Sequence, residues 1–224
     1  MNAPVKLVLR ENVFWLSPEH SVFWEEQKAL IISDLHFGKT GHFRKSGIAV
    51  PQTIFKKDLQ RLFHLVQFFK PSQLLIVGDM FHSEENKELD LFKRWRKDIE
   101  HLSVKLIKGN HDILLDSLYA DMQIELYDDV LQIDNFIFTH QPVEHNDAYV
   151  FSGHIHPGVT ISGLGKQSLR FPCFYFTSTQ AILPAFGGFT GFVSVNPAKE
   201  DKIFAIIPPN PLKGEQGSIM QVGL

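Results

Sequence analysis

A single cysteine, Cys173, stands in 224 residues, so no internal disulfide can form and a reducing compartment is the natural setting. Neither sign of charge is in excess. The 22 Lys and Arg against 25 Asp and Glu give a net charge of -3, which excludes a global positive field of the kind that draws nucleic acid to a whole protein. No apolar run approaches the ~18 residues needed to span a bilayer, and residues 1–16 have no long apolar stretch behind a basic start. The expectation is a cytoplasmic protein with no membrane contact. Internal repeats, low-complexity segments and linker-like stretches are also missing, so one domain over residues 1–224 is expected. Hydrophobic residues at 44% and charged residues at 21% exclude a disordered or fibrous chain.

What the chain does have is phenylalanine and histidine. Twenty Phe, three Trp and four Tyr predict a large aromatic core, and eleven His call for an explanation of where they fall. Short β-like runs open the chain at Val5-Leu9, Val13-Leu16 and Val22-Trp24. The continuous apolar run Ala29-Ser33 reads as a fully buried strand. Pro51-Lys70 reads as a helix with proline in its first turn and Phe55, Leu59, Leu62, Phe63, Val66 and Phe69 on one face, ended by Pro71. The cycle repeats with strand Leu74-Val77, helix Asn86-Glu100 (Leu89, Phe92, Trp95 and Ile99 inward), strand Val104-Ile107 and a short helix Ile113-Tyr119. Strands alternating with helices predict an α/β fold with parallel pairing. Beyond Tyr119 the chain turns to strands: Ile124-Tyr127, Val130-Ile133, Phe136-Thr139, Tyr149-Ser152, Val159-Ser162, Leu169-Thr177, Ala181-Leu183, Phe192-Val195 and Ile203-Ile207. Asp134-Asn135 reads as a tight turn, and residues 208–224, opening on Pro208-Pro209-Asn210-Pro211, as a loosely held tail.

Charge is uneven along the chain. Lys39 to Lys70 carries seven basic residues against Asp58 alone, a net of +6, whereas Asp112 to Asp147 carries nine acidic residues and no Lys or Arg. Such runs are usually solvated faces. The basic one matters if it borders a site for an anion.

The chemistry lies where polar residues follow apolar strands. Ile31-Ser33 runs into Asp34-Leu35-His36, and Leu74-Val77 into Gly78-Asp79. Val104-Ile107 runs into Gly109-Asn110-His111-Asp112, Phe136-Thr139 into His140, and Tyr149-Ser152 into Gly153-His154-Ile155-His156. The C-terminal ends of strands are where open α/β sheets hold ligands. A lone Asp-x-His after a strand is more often a turn or a cap; five such ends in order carry the weight. Two carboxylates, one amide oxygen and four imidazoles exceed one tetrahedral zinc and suit divalent Mn, Fe or Zn in six-coordinate-like sites. Two divalent cations bring +4 against -2 from Asp34 and Asp79, and the residue of positive charge suits a hydroxide and an anionic phosphate.

In this order, DLH, GD, GNHD, a single H and GHIH resemble the calcineurin-like metallophosphoesterase superfamily. The resemblance implies a four-layer α-β-β-α sandwich of two mixed β-sheets flanked by helices, with a dinuclear centre at the strand ends. It implies Asp34, His36 and His156 as ligands of one metal, Asn110, His140 and His154 as ligands of the other, and Asp79 as the bridge. His111 matches the family's non-ligand histidine beside the phosphate. Asp112 reads either as its orienting partner or as the N-cap of the next helix.

The basic stretch Asp34 to Pro51, with Arg170-Phe-Pro-Cys173 and Leu183-Pro-Ala-Phe-Gly-Gly-Phe-Thr-Gly191, is similar to the DNA ligase-associated metallophosphoesterases of the PdeM type. That family implies a phosphodiesterase favouring Mn²⁺, with Fe or Zn also accepted by the donor set. It also implies a nuclease role in DNA repair beside an ATP-dependent DNA ligase and a helicase. Lys39, His42, Arg44 and Lys45 follow the first ligands and can hold flanking phosphates, while Phe37 and Phe43 read either as stacking surfaces for bases or as core. His82 reads as a strand-end surface histidine more readily than as part of the site. A phosphatase or pyrophosphatase acting on a small molecule or nucleotide is the second reading. A non-catalytic scaffold is the third, and the presence of all seven candidate ligands and His111 argues against it. Oligomeric state, strand preference and endo- or exonuclease action are left open by the sequence.

Overall fold

A computed structural model describes residues 3–39, 47, 53–82, 87–163 and 167–223. Sixteen strands and three helices occur among these residues. The first half holds β1 (Val5–Leu9), β2 (Asn12–Ser17), β3 (Ser21–Trp24), β4 (Ala29–Ser33), α1 (Thr53–Phe69), β5 (Gln73–Val77), α2 (Lys87–Asp98), β6 (Ser103–Ile107), α3 (Asp116–Asp121) and β7 (Ile124–Tyr127). The second half holds β8 (Val130–Ile133), β9 (Phe136–Thr139), β10 (Tyr149–Ser152), β11 (Pro157–Ser162), β12 (Ser168–Phe176), β13 (Gln180–Ile182), β14 (Val193–Ser194), β15 (Lys202–Ile207) and β16 (Ser218–Val222).

Strands β1 to β7 form one sheet in chain order, antiparallel up to β4 and parallel from β4 to β7. The parallel part needs crossovers, which α1, α2 and α3 supply. The remaining strands form a second mixed sheet in which β10 runs parallel to both β9 and β13. The two-sheet α/β sandwich is therefore present. The three described helices all contribute to the cluster on the outer face of the first sheet.

Side-chain alternation divides the core between the layers. In β4, Leu30 and Ile32 face the helices while Ala29 and Ile31 face the second sheet; in β5, Leu74 and Ile76 part from Leu75 and Val77 in the same way. A strand buried on both faces must be apolar throughout, which is why Ala29-Ser33 shows no polar alternation. Between the sheets, Phe14 and Trp24 meet Phe136 at ring-centroid distances of 5.2 and 4.9 Å, and Phe151 packs 5.2 Å from Phe14 and 5.5 Å from Phe138. On the far side of the second sheet, Cys173 is buried with Val159, Ile203 and Ala205. Burial pushes its thiol up to about 12, so it behaves as a small apolar side chain rather than as a nucleophile or metal ligand.

Three expectations change and one open alternative is decided. Residues 208–224 are not simply a tail: a 3-10 turn at Pro211–Lys213 leads into β16, which pairs along its whole length with β15 and rests Ile219 and Val222 against the core. The short helix expected at Ile113-Tyr119 starts at Asp116, because Asp112 and Ile113 donate their N–H groups into a turn with Gly109 and His111 and Leu115 is extended. In α1, Phe63 is exposed and Asp58 is buried in the inward stripe instead, its charge met by Arg61 and the Gly188 N–H. Phe37 is core, edge-on to Phe55 at 5.0 Å, and offers no stacking surface.

Phe136→Ala should remove a buried ring from the inter-sheet cluster and cost roughly 3–5 kcal/mol. Urea unfolding should report a lower midpoint with an unchanged slope.

Candidate metal centre

The five strand ends converge. Ser33, Val77 and Ile107 are in register across β4, β5 and β6, and Thr139 and Ser152 across β9 and β10. The two sheets are joined at this end by residues 183–187. The Leu183 N–H donates to Ser152 (2.8 Å), Phe186 to Ser33 (2.8 Å) and Gly187 to Asp34 (3.0 Å). Past the strands, the loops after β4 and β5 keep pairing: Asp34 N–H donates to Gly78 (3.1 Å), His36 to Asp79 (2.9 Å) and Phe37 to Met80 (2.9 Å).

The backbone is bent sharply where the side chains turn inward. Asp34, His36, Asp79, His154 and His156 all have φ between 49° and 65°, a region that costs a non-glycine residue free energy and persists where the surroundings enforce it. Gly78 (φ 80°) and Gly153 serve the same convergence by having no side chain. A Cβ on Gly78 would occupy the His140 ring, and one on Gly153 would meet the Asp34 carboxylate.

The sequence-predicted ligands lie together. Asp34 and Asp79 are buried, and their carboxylates accept the backbone N–H groups of His154 (3.1 and 3.2 Å) and His111 (2.9 Å) respectively. His156 Nε2 is 3.2 Å from Asp34 Oδ1. Asp79 lies between two histidines, with Oδ1 3.5 Å from His140 Nε2 and Oδ2 3.9 Å from His36 Nε2. His140 Nε2 is also 3.1 Å from both Asn110 Oδ1 and His154 Nδ1. Two three-residue groups, Asp34/His36/His156 and Asp34/Asp79/His140, each bring ligand atoms within 4.8 Å of one another. Atoms bound ~2.1 Å from one ion sit about 3–4 Å apart, so this spacing suits a shared cation.

The hydrogen bonding supports the fit. Both ring nitrogens of His36, Nδ1 of His140 and Nε2 of His156 are buried without a hydrogen-bond partner, a costly arrangement concentrated at this one place. Burial, then the positive charge of Lys39, then His156, His82 and His111 push His36 down to about 2. The ring is therefore neutral, the form that ligates a metal. The donors are nitrogen and oxygen only, a set for hard and borderline divalent ions.

Other predicted residues fall differently. Lys39 is half-buried; burial lowers its pKa while Asp79 and Asp34 oppose the drop, so its charge is held near the two carboxylates. His42, Arg44 and Lys45 lie outside the described residues, as does Phe43. His111 is half-buried with its ring 5.5 Å from His36. Asp112 is not a helix cap. Its carboxylate accepts the N–H groups of Phe81 (3.0 Å) and Gly109 (2.9 Å), so it fixes the loops bearing Asp79 and His111, and burial pushes it up to about 6. His82 belongs to the site's surroundings after all, its ring 4.4 Å from His111 and 5.4 Å from His36. The clue was its position three residues beyond Asp79, on the loop that pairs with the one carrying His36.

A family model for calcineurin-like phosphoesterases matches residues 28–175, which contain all seven candidate ligands. The chain belongs to the calcineurin-like phosphoesterase family. Among solved structures, nuclease MPE of Pseudomonas putida is similar at 30% identity and a TM-score of 0.78, over 90% of this chain and 96% of that one. The phosphoesterase Yfce from E. coli is 12% identical with a TM-score of 0.42, over 87% and 98% of the two chains. The Aquifex aeolicus protein AQ665, of unknown function, is 17% identical with a TM-score of 0.43, over 57% and 78%. No match is found among curated proteins. The calcineurin-like phosphoesterase described by these residues is a metal-dependent hydrolase. No helix among its described residues is long and apolar enough to cross a membrane.

Sequence reading missed what holds the phosphoesterase's sheet junction in place. Arg61 donates to the Phe186 carbonyl and to Asp58 (3.0 Å), Asp58 accepts the Gly188 N–H (3.0 Å), and His20 Nδ1 lies 2.8 Å from the Ala185 carbonyl. These side chains grip the segment whose N–H groups hold Ser33 and Asp34. Burial first, then Arg61, push His20 down to about 3, so it stays neutral and Nδ1–H donates. Because the unfolded ring titrates near 6.5, the unfolded state binds the extra proton between those values. Stability is full above pH ~6.5 and is lost as pH falls toward 3, by at most about 1.4 kcal/mol per pH unit per proton. His20→Asn, which suits the residue's φ of 59° and keeps a donor, should flatten that slope. Urea unfolding at pH 7.5 and 5.5 measures it, and an unchanged slope would contradict the assignment.

Proposed function

We propose that the protein is a dinuclear metal-dependent phosphodiesterase that cleaves nucleic acid, with Mn²⁺ as the working metal. The observation that carries this reading is the buried Asp79 carboxylate set between candidate ligands of both ions, one oxygen toward His140 and the other toward His36. Asp34, His36 and His156 would hold one ion, Asn110, His140 and His154 the other, with Asp79 shared. When bound, two divalent ions polarise the phosphoryl oxygen and make hydroxide available near neutral pH.

The chain's own residues do the rest. Lys39 brings a positive charge beside the carboxylates, where a phosphate oxygen would lie. His111, whose backbone N–H donates to Asp79, would give a proton to the leaving oxygen. An alkoxide leaves poorly without one, and such donation is worth roughly 10²- to 10⁴-fold. Asp112 is a positioning residue: it holds the backbone of Gly109, on the loop of that histidine, and of Phe81, on the loop of Asp79. A nucleic-acid substrate is favoured by the 30% identity to a nuclease over 90% of the chain. With it go a role in DNA repair, functional association with an ATP-dependent DNA ligase and a helicase, and a cytoplasmic setting.

Metal-stripped protein titrated with Mn²⁺ should hydrolyse bis(4-nitrophenyl) phosphate faster than 4-nitrophenyl phosphate. Asp79→Ala should abolish both metal uptake and hydrolysis. On thymidylyl-3′,5′-thymidine, whose leaving group is an alkoxide, His111→Ala should keep its metal and lose roughly 10²- to 10⁴-fold in rate. Faster monoester cleavage would make the enzyme a phosphatase, and parallel loss of metal and rate in His111→Ala would remove the acid role.

A further inference from the structure

On the Asn110 and His140 side of the metal centre, the surface opens into a cleft of about 680 Å³, within the range of small-molecule sites. Asn110 and His140 form part of its wall, so a phosphate at the centre has direct access to it. Its lining differs in kind from the centre. Val130 and Val143 remain 50% and 43% exposed within it, an apolar surface left without a covering side chain. Its one lysine, Lys108, is 3.1 Å from Asp116 and 3.7 Å from Asp128, so its charge is already answered, and Asp129 adds negative charge at the same rim. A continuing phosphate backbone is repelled from such a surface.

The polar lining suits something flat with hydrogen-bonding edges. His145 Nδ1 accepts the N–H groups of Asp147 (3.2 Å) and Ala148 (3.0 Å), which fixes the neutral ring's proton on Nε2 and leaves that N–H as a donor. Gln141 offers an amide on the same lining. A lipid chain would leave these groups unanswered, and a second phosphate would meet Asp128 and Asp129.

We propose that this cleft is a nucleoside subsite. It takes the base and sugar on one side of the scissile phosphate, against Val130 and Val143, and disfavours a further phosphate on that side. The assignment rests on the phosphodiesterase reading and names the substrate moiety that reading leaves open.

The test is calorimetric titration of the Mn²⁺-loaded protein with thymidine 5′-monophosphate, thymidine 3′,5′-bisphosphate and inorganic phosphate. The monophosphate should bind at least about tenfold more tightly than inorganic phosphate, and more tightly than the bisphosphate. Val143→Glu, at a half-exposed position that folding tolerates, should bring the ratio of monophosphate to inorganic phosphate near one. Asp129→Lys should recover affinity for the bisphosphate. A ratio near one in the unaltered protein, or one unmoved by Val143→Glu, would overturn the subsite. Hydrolysis of bis(4-nitrophenyl) phosphate, measured alongside, separates the two readings. A preserved nucleotide preference without diester cleavage supports the cleft and overturns the phosphodiesterase. Diester cleavage with a ratio near one overturns the cleft alone.

Discussion

Two carboxylates buried side by side are the constraint around which this protein is arranged. Asp34 is fully buried and Asp79 nearly so, and a charge taken out of water is costly unless it is matched. Two backbone N–H groups, from His154 and His111, answer part of that cost, and half-buried Lys39 contributes from the edge. The remaining neighbours are imidazoles, and ring nitrogens of His36, His140 and His156 are buried there without a hydrogen-bond partner. Divalent cations held among these groups would reconcile carboxylates that repel with imidazoles that lack partners. The buried charge and the unmade hydrogen bonds are two sides of one design.

That design needs two sheets, because no single strand end supplies enough ligands. The aromatic layer holds the sheets at a fixed distance, Phe14 and Trp24 from one against Phe136 and Phe151 from the other. At the end where the strands finish, residues 183–187 tie β10 to β4 by backbone hydrogen bonds, and Arg61, Asp58 and His20 brace that tie. A rigid junction lets five non-glycine residues sit at φ of 49–65°. The strain of those bends is held in place by packing and hydrogen bonds elsewhere.

Much of this was legible in the residues. Apolar runs such as Ala29-Ser33 and Leu74-Val77 announced doubly covered strands, and the polar residues immediately after them announced the site. Those two signals are local and reach no further than a strand and the turn it enters. What stayed hidden depends on contacts distant in sequence. Asp58 reads as a surface charge on an amphipathic helix until Gly188, 130 residues away, donates to it. His82 reads as a strand-end histidine until the loop carrying His36 folds alongside it. Residues 208–224 read as a tail because they open on Pro208-Pro209-Asn210-Pro211, and the pairing of the short β16 with β15 depends on a turn at Asn210 to Gly214.

The central claim is that Asp79 bridges two cations. Anomalous diffraction from crystals soaked in Mn²⁺ tests it most directly. The account predicts two peaks roughly 3.5–4 Å apart, one among Asp34, His36 and His156 and the other among Asn110, His140 and His154, with Asp79 between them. A single peak, or two that leave Asp79 unbound, would contradict it.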